Sequence, residues 1–346
     1  MTRERSSGED PARPDRVVIS DVAGLSGVSK MTVSRVLNGH PRVSPHTRAR
    51  VLAAIDVLGF RPSSAARALA TGRSRVIGVV SFNTALHGPA AILSGIEQAA
   101  REAGYFLSAV TLQSASPWTS TAVIRHLEAQ AVEGVILSSP HAWAADAARY
   151  LAGRVPLVVL DAEAGAVPSV AVDQYAGAAA ALRHLLDLGH QTVWHVAGPS
   201  DWLSARARER GWRDALEKAG RPVPPVARGD WSARSGYEQG CRIAKNSNVT
   251  AIFAANDQMA LGVLRALRES GADVPGDVSL VGFDDVPEAG FFWPPLTTVR
   301  QDFAEVGRRS LELLLQQVEG SQRSRQHVVV EPELIVRESS GPVPGR

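Results

Sequence analysis

Between residues 17 and 60 the apolar positions recur at helical spacing in three short runs. Ser20 can cap a helix that begins at Asp21, with Val22, Ala23 and Leu25 as packing positions before Gly27. Gly27 suits a left-handed turn, and Ser29 then caps a second helix whose Val33, Val36 and Leu37 face inward. Lys30, Thr32, Ser34, Arg35 and Asn38 are left on its outer face. A third helix starts at Ser44 with Pro45 in the first turn, repeats apolar residues at Val51, Ile55 and Leu58, and stops at Gly59. Three short helices with one polar face make a compact unit able to read DNA, although periodicity alone equally fits any small helical bundle with a solvated face.

Residues 61–74 form a hinge. Its run Ser63 to Ala70 favours a helix of about two turns, too short to be stable alone, so it is expected to order only against a partner. From residue 75 to 340 strand-like apolar runs alternate with amphipathic helical runs. The runs include Val76 to Val80, Val135 to Leu137, Leu157 to Leu160, Val193 to Val196, Ala251 to Ala254 and Ser279 to Phe283. That alternation predicts an α/β body of two doubly wound parallel-sheet subdomains behind an all-α helix-turn-helix head. Ligands of such sheets sit beyond the carboxyl ends of the strands, where Asp161, Asn256-Asp257 and Asp284-Asp285 fall.

Composition adds an asymmetry to this picture. The net charge of +2 conceals 13 Lys/Arg against 6 Asp/Glu in residues 1–75 and 24 against 29 in the remainder. A basic head on an acidic body points to a polyanion partner for the head alone. The 45% apolar content supports an ordinary core, and a single cysteine, Cys241, excludes an intramolecular disulfide or a cysteine cluster and fits a reducing cytosol. Residues 1–16 are expected to be a disordered tail, and residues 341–346 a second one. No run approaches a membrane span, so a cytoplasmic protein without membrane contact is expected.

Enzymatic readings find little support. The chain has no phosphate loop with lysine, no His-Glu-x-x-His pair and no nucleophile elbow, and its nine histidines lack ligand spacing. Asp284-Asp285 could be proposed as an acid/base pair, but adjacent side chains diverge. His190 and His195 read as structural. No catalytic residue, metal or cofactor is expected beyond a small-molecule effector.

The string DVAGLSGVSKMTVSRVLNG, running on through VSPHTRARVLAAIDVLGFRPSSAARALA, resembles the head of the lactose/galactose repressor family from Val17 to Ala70. The resemblance implies that Lys30, Met31 and Arg35 read bases, with Thr32, Ser34, Asn38 and Arg42 nearby, and that Ser29, Ser44 and Thr47 contact phosphate. Arg35 could bind guanine with both donors, whereas hydroxyls on phosphate only set register. Lys30 and Met31 depart from the tyrosine and glutamine of the lactose-type pattern, so the operator does not transfer. In the hinge, Ala66 and Leu69 become DNA contacts. Leu69 by itself could anchor against the body; the resemblance makes it a minor-groove wedge.

The body segments VAGPSDWLSARARERGW, GDWSARSGYEQ, AANDQMALGVLRALRESG, SLVGFDD and WPPLTTVRQDF are similar to the same family. They imply a subdomain of about residues 75–172 and 302–329, and another of about 173–299 and 330–340. Position by position they nominate Asp161, Arg208, Trp231, Asn256, Asp284, Gln301 and Phe303 as effector contacts, with Leu86 and Ile92 at an apolar end. Carboxylates, an amide and an arginine fork suit paired sugar hydroxyls, and an indole suits the C–H face. Phe82 and Ser138 replace a serine and an asparagine of the galactoside pattern. The function implied is repression of sugar-utilisation genes, relieved by a sugar, with a galactoside favoured. Another sugar or a corepressor stays open. Two heads on a pseudo-palindromic duplex require a homodimer. His87 and Glu288 match an interface pair of the family. No leucine heptad fits after Val336, so a dimer that does not tetramerise is expected.

Overall fold

The computed structural model describes residues 17–37, 39–61, 72–112, 123, 125–127, 129–138, 144–161, 167–320 and 325–343. The chain separates into two compact units, Met1–Ser74 and Arg75–Arg346.

The head has three helices, α1 (Ile19–Ser26), α2 (Lys30–Leu37) and α3 (Pro45–Leu58). Val22, Ala23, Val33, Val36, Val51 and Ala54 are buried between them. Ser20 does not cap α1. The helix begins two residues earlier, at Ile19, and the Asp21 carboxylate turns back to accept the Val18 N–H at 2.8 Å, so an acid in the first turn takes the capping role. Leu25 points outward and is 55% exposed. The other two caps are as expected: Ser29 Oγ accepts the Thr32 N–H and Ser44 Oγ accepts the Thr47 N–H, each at 3.2 Å.

The larger unit holds two six-stranded sheets among the described residues. The first contains β1 (Val76–Phe82), β2 (Phe106–Leu112), β3 (Gly134–Ser138), β4 (Leu157–Leu160), β5 (Ser169–Val172) and β11 (His327–Val330). Their order is β11-β5-β4-β3-β1-β2, and every pairing is parallel. The second contains β6 (Trp194–Ala197), β7 (Ala227–Arg228), β8 (Ala251–Ala254), β9 (Ser279–Asp284), β10 (Thr297–Arg300) and β12 (Glu333–Ile335). Its order is β12-β10-β9-β8-β6-β7, parallel except for the edge pair β10–β12. Fully buried strands such as β3, β4 and β8 explain the unbroken apolar runs: helices cover both faces.

Those helices are α4 (His87–Glu102), α5 (Ala144–Leu151) and α10 (Phe303–Val318) on the first sheet, and α6 (Gln174–Asp187), α7 (Leu203–Lys218), α8 (Ala233–Ile243) and α9 (Asp257–Glu269) on the second. Helices α4 and α10 touch backbone to backbone; a Cβ on Gly307 would come within 2.4 Å of the Gly95 carbonyl carbon. The chain passes between the subdomains at residues 172–174, 300–303 and 330–333.

Gly341 to Val343, read as part of a tail, instead pack on the second subdomain. The Val343 N–H donates to the Leu188 carbonyl at 3.1 Å, and the Gly341 N–H donates to Ser279 Oγ at 3.0 Å. His190 sits in the same buried cluster, 3.0 Å from Thr250 Oγ1 and 3.1 Å from Ser279 Oγ. No helix among the described residues is long and apolar enough to cross a membrane.

Candidate functional site

Both sheets reverse their winding where one strand has sequence neighbours on either side, β1 between β3 and β2, and β6 between β8 and β7. The carboxyl ends at such points leave a crevice between the crossover helices. Phe82, Ser138 and Asp161 stand at the ends of β1, β3 and β4; Trp202, Trp231, Asn256 and Asp284 stand at or just after the ends of β6, β7, β8 and β9. All of them line one cleft, of about 710 Å³ when the solvent at its open mouth is included. Leu86, Ile92, Arg208, Gln301 and Phe303 line it too, so the nine nominated effector residues come together. Gln174, Ser204 and Trp202 also line it and were not nominated.

Arg208 is the centre of the floor. It is 5% exposed, and its Nε donates to Gln174 Oε1 at 2.8 Å while Nη1 donates to the Ala255 carbonyl. Its Nη2 lies 3.5 Å from Asp284 Oδ1, and the guanidinium stands 3.8 Å over the Phe283 ring. Gln174 Nε2 donates to Gln301 Oε1 at 2.7 Å, and Gln301 Nε2 donates to Asp284 Oδ1 at 2.6 Å. A closed chain of donors and acceptors thus fixes these four side chains. Asn256 Oδ1 caps α9 by accepting the Met259 N–H at 3.0 Å, and its Nδ2 donates to the Trp231 carbonyl at 3.1 Å.

Burial sets the electrostatics. The Asp161 carboxyl is pushed up to about 6 by burial, against the pull of Arg208. Asp284 is raised by burial and opposed by Arg208, His87 and the Gln301 hydrogen bond. Asp257, behind the cleft, is pushed up to about 8 by burial and the nearby Asp284, although it accepts from Thr298 Oγ1 at 2.6 Å and from the Val286 N–H at 2.9 Å. Asp161, Trp231 and Asp284 all have positive φ, 54°, 76° and 111°, a conformation costly for non-glycine residues and concentrated here at one site. The Trp231 indole N–H is buried without a hydrogen-bond partner among the described residues.

Asp285 faces away from Asp284. Its two oxygens are taken by Arg300 Nε and Arg337 Nη2, each at 2.7 Å, so one of the adjacent acids lines the cleft and the other holds a structural ion pair. His195 is a core residue: Nδ1 donates to the Phe253 carbonyl at 3.0 Å, the ring stacks on Phe253, and burial pushes it down to about 4. His87 lines the cleft, its ring 5.8 Å from that of Phe303, and Glu288 is exposed before the short turn Ala289–Phe291.

On the head, Lys30, Met31, Arg35, Arg42 and Ser44 are exposed, with Met31 65% exposed, and Thr32, Ser34 and Thr47 are half-buried beside them. Ser29 and Ser44 cap α2 and α3 with their hydroxyls, so the positive helix ends they organise, rather than the hydroxyls alone, are available to phosphate. Asn38, Ala66 and Leu69 lie outside the described residues.

Residues 18–63 match the model for bacterial regulatory proteins of the lacI family, and residues 182–340 match a periplasmic binding protein-like domain. The lactose operon repressor of Escherichia coli (strain K12) is 37% identical over 312 residues, covering 88% of this chain and 85% of that protein. The HTH-type transcriptional repressor PurR of Haemophilus influenzae is 33% identical over 93% of this chain and 98% of its own. Among solved structures, the lac repressor dimer bound to operator and the anti-inducer ONPF superposes with a TM-score of 0.86 at 35% identity, over 94% of this chain and 100% of that one. The transcriptional regulator CelR–cellobiose complex gives 0.70 at 33% identity, with the same coverage.

Proposed function

The chain belongs to the lacI family of bacterial regulatory proteins, and from that premise we propose a cytoplasmic, homodimeric transcriptional repressor that leaves its operator when the body binds a galactoside. The observation that carries the effector reading is the floor chain Arg208–Gln174–Gln301–Asp284 with Trp231 beside it. Fixed donors and acceptors at that spacing suit neighbouring ring hydroxyls, and the indole suits a C–H face. The exposed Lys30, Met31 and Arg35 supply base contacts, and the dimer supplies two of each for the two half-sites.

A second reading, in which another sugar is the effector, is favoured by Phe82, an aromatic ring at the cleft wall where the galactoside pattern has a small polar residue. One experiment separates the readings. A fragment carrying the operator, found by selection from random duplexes, is titrated with protein in gel shifts, alone and with galactosides, glucosides, cellobiose or purines. Release by galactosides supports the proposal, release only by another sugar supports the second reading, and tightening by any ligand would replace induction with corepression.

A further inference from the structure

One side of the cleft is lined by three aromatic rings drawn from both subdomains. Phe82 and Trp202 meet edge to face, with centroids 6.2 Å apart and planes at 77°. Trp202 and Trp231 do the same at 5.3 Å and 65°. Trp202 therefore packs on the core of the first subdomain through Phe82 and on that of the second through Trp231. The row is anchored at its middle and at its Trp231 end. The Trp202 N–H donates to the Pro199 carbonyl at 3.2 Å, and its own carbonyl accepts the Arg206 N–H at 3.1 Å as the first turn of α7. Trp231 rests on Gly198, where a Cβ would come within 2.3 Å of the indole.

A second apolar wall, made by His87, Ile92, Phe303 and Val306, lies toward the β10 side of the second sheet, whereas Trp202 and Trp231 follow β6 and β7 at its other side. The hydroxyl-binding groups Arg208, Gln301, Asp284 and Asn256 fall between the two walls. A sugar ring on those groups has an aromatic barrier on one side, which opens only by separating Trp202 from a core.

We infer that Trp202, clasped between Phe82 and Trp231, is a specificity-determining end stop: the cleft accepts a terminal sugar ring whose one extension runs toward Phe303, and rejects a ring extended toward Trp202. The inference rests on the sugar-effector reading and deepens it to a glycoside bound by its terminal ring.

The test is calorimetry with methyl β-galactoside, lactose, which extends galactose from its anomeric carbon, and glucosyl-β-(1→4)-galactose, which extends it from O4. One disaccharide should bind within about tenfold of methyl galactoside and the other roughly 100-fold more weakly. Trp202→Ser should recover about tenfold or more for the weak disaccharide, and so should Phe82→Ser, which carries the test if the tryptophan variant does not fold by thermal melting. Equal affinities for the two disaccharides, strong or weak, would overturn the end stop, as would a weak disaccharide that stays equally weak in the folded variants. Failure of methyl galactoside to bind the unaltered protein would overturn the galactoside reading beneath it.

Discussion

The amides of Gln174 and Gln301 meet at 2.7 Å where two of the three chain crossings between subdomains pass the cleft. Gln174 opens α6 just after β5, and Gln301 lies between β10 and α10. One passes its carbonyl to Arg208 and the other its amide to Asp284, so the groups that would grip an effector also tie the crossings together. A ligand that rearranges this chain acts directly on the segments about which the subdomains turn.

Gln301→Ala leaves Asp284 and Gln174 each short of a buried partner, at a cost of about 1–3 kcal/mol. Denaturant unfolding should show that loss, and effector affinity should fall with it. Operator affinity without effector should change little, which gel shifts would check.

Arg208→Ala removes the guanidinium drawn toward Asp284, Asp161 and Asp257 together and should abolish release from the operator while the head still binds it. Loss of a buried partner should also destabilise the body by about 3–5 kcal/mol. Arg208→Lys should not restore the response, because a single ammonium cannot reach Gln174, Ala255 and the effector with the same planar fork. A titration midpoint for release unchanged in either variant would remove Arg208 from the site.

Gly307→Ala should destabilise the body by at least about 1–3 kcal/mol, because its methyl would stand 2.4 Å from backbone of Gly95 and backbone cannot move aside as a side chain can. Thermal melting of the body would register it, while binding of DNA by the head at low temperature should persist.

Much of this site was readable because the strands announce it. Leu157 to Leu160 and Leu280 to Phe283 are unbroken apolar runs, and the polar residue that ends each, Asp161 or Asp284, marks a carboxyl edge. Trp202 carries no such mark: it is a lone aromatic in a polar loop, and only the fold brings it against Phe82, 120 positions earlier in the chain. Gln174 was hidden for a similar reason, since its role depends on a crossing that brings it beside Gln301. On the head, Ser20 reads as a cap by residue type, but the helix already begins at Ile19, and the Asp21 carboxylate, three residues beyond Val18, takes the Val18 N–H at its start.

The last prediction concerns pH. With its carboxyl pushed up to about 6 by burial, Asp161 is part protonated near that pH in the effector-free protein, while the Arg208 charge opposes the shift. Two consequences have opposite signs. Because the folded value lies above the unfolded one, the contribution of Asp161 to stability is fully present below pH 3.8 and is lost as pH rises through about 6. A sugar hydroxyl that donates to the carboxylate favours the charged form, so the bound state has a lower value than the free state and binding releases a proton. Effector affinity should therefore rise with pH up to about 6 and level off above it, by no more than about tenfold per pH unit. Calorimetry between pH 5 and 8 in buffers of differing ionisation enthalpy would measure both the affinity and the released proton. Asp161→Asn should bind more weakly at pH 7 and lose the rise near pH 6, while operator binding in the absence of effector keeps its own pH profile. A wild-type affinity that is flat across this window, with no proton released, would mean that Asp161 does not accept a hydroxyl from the effector.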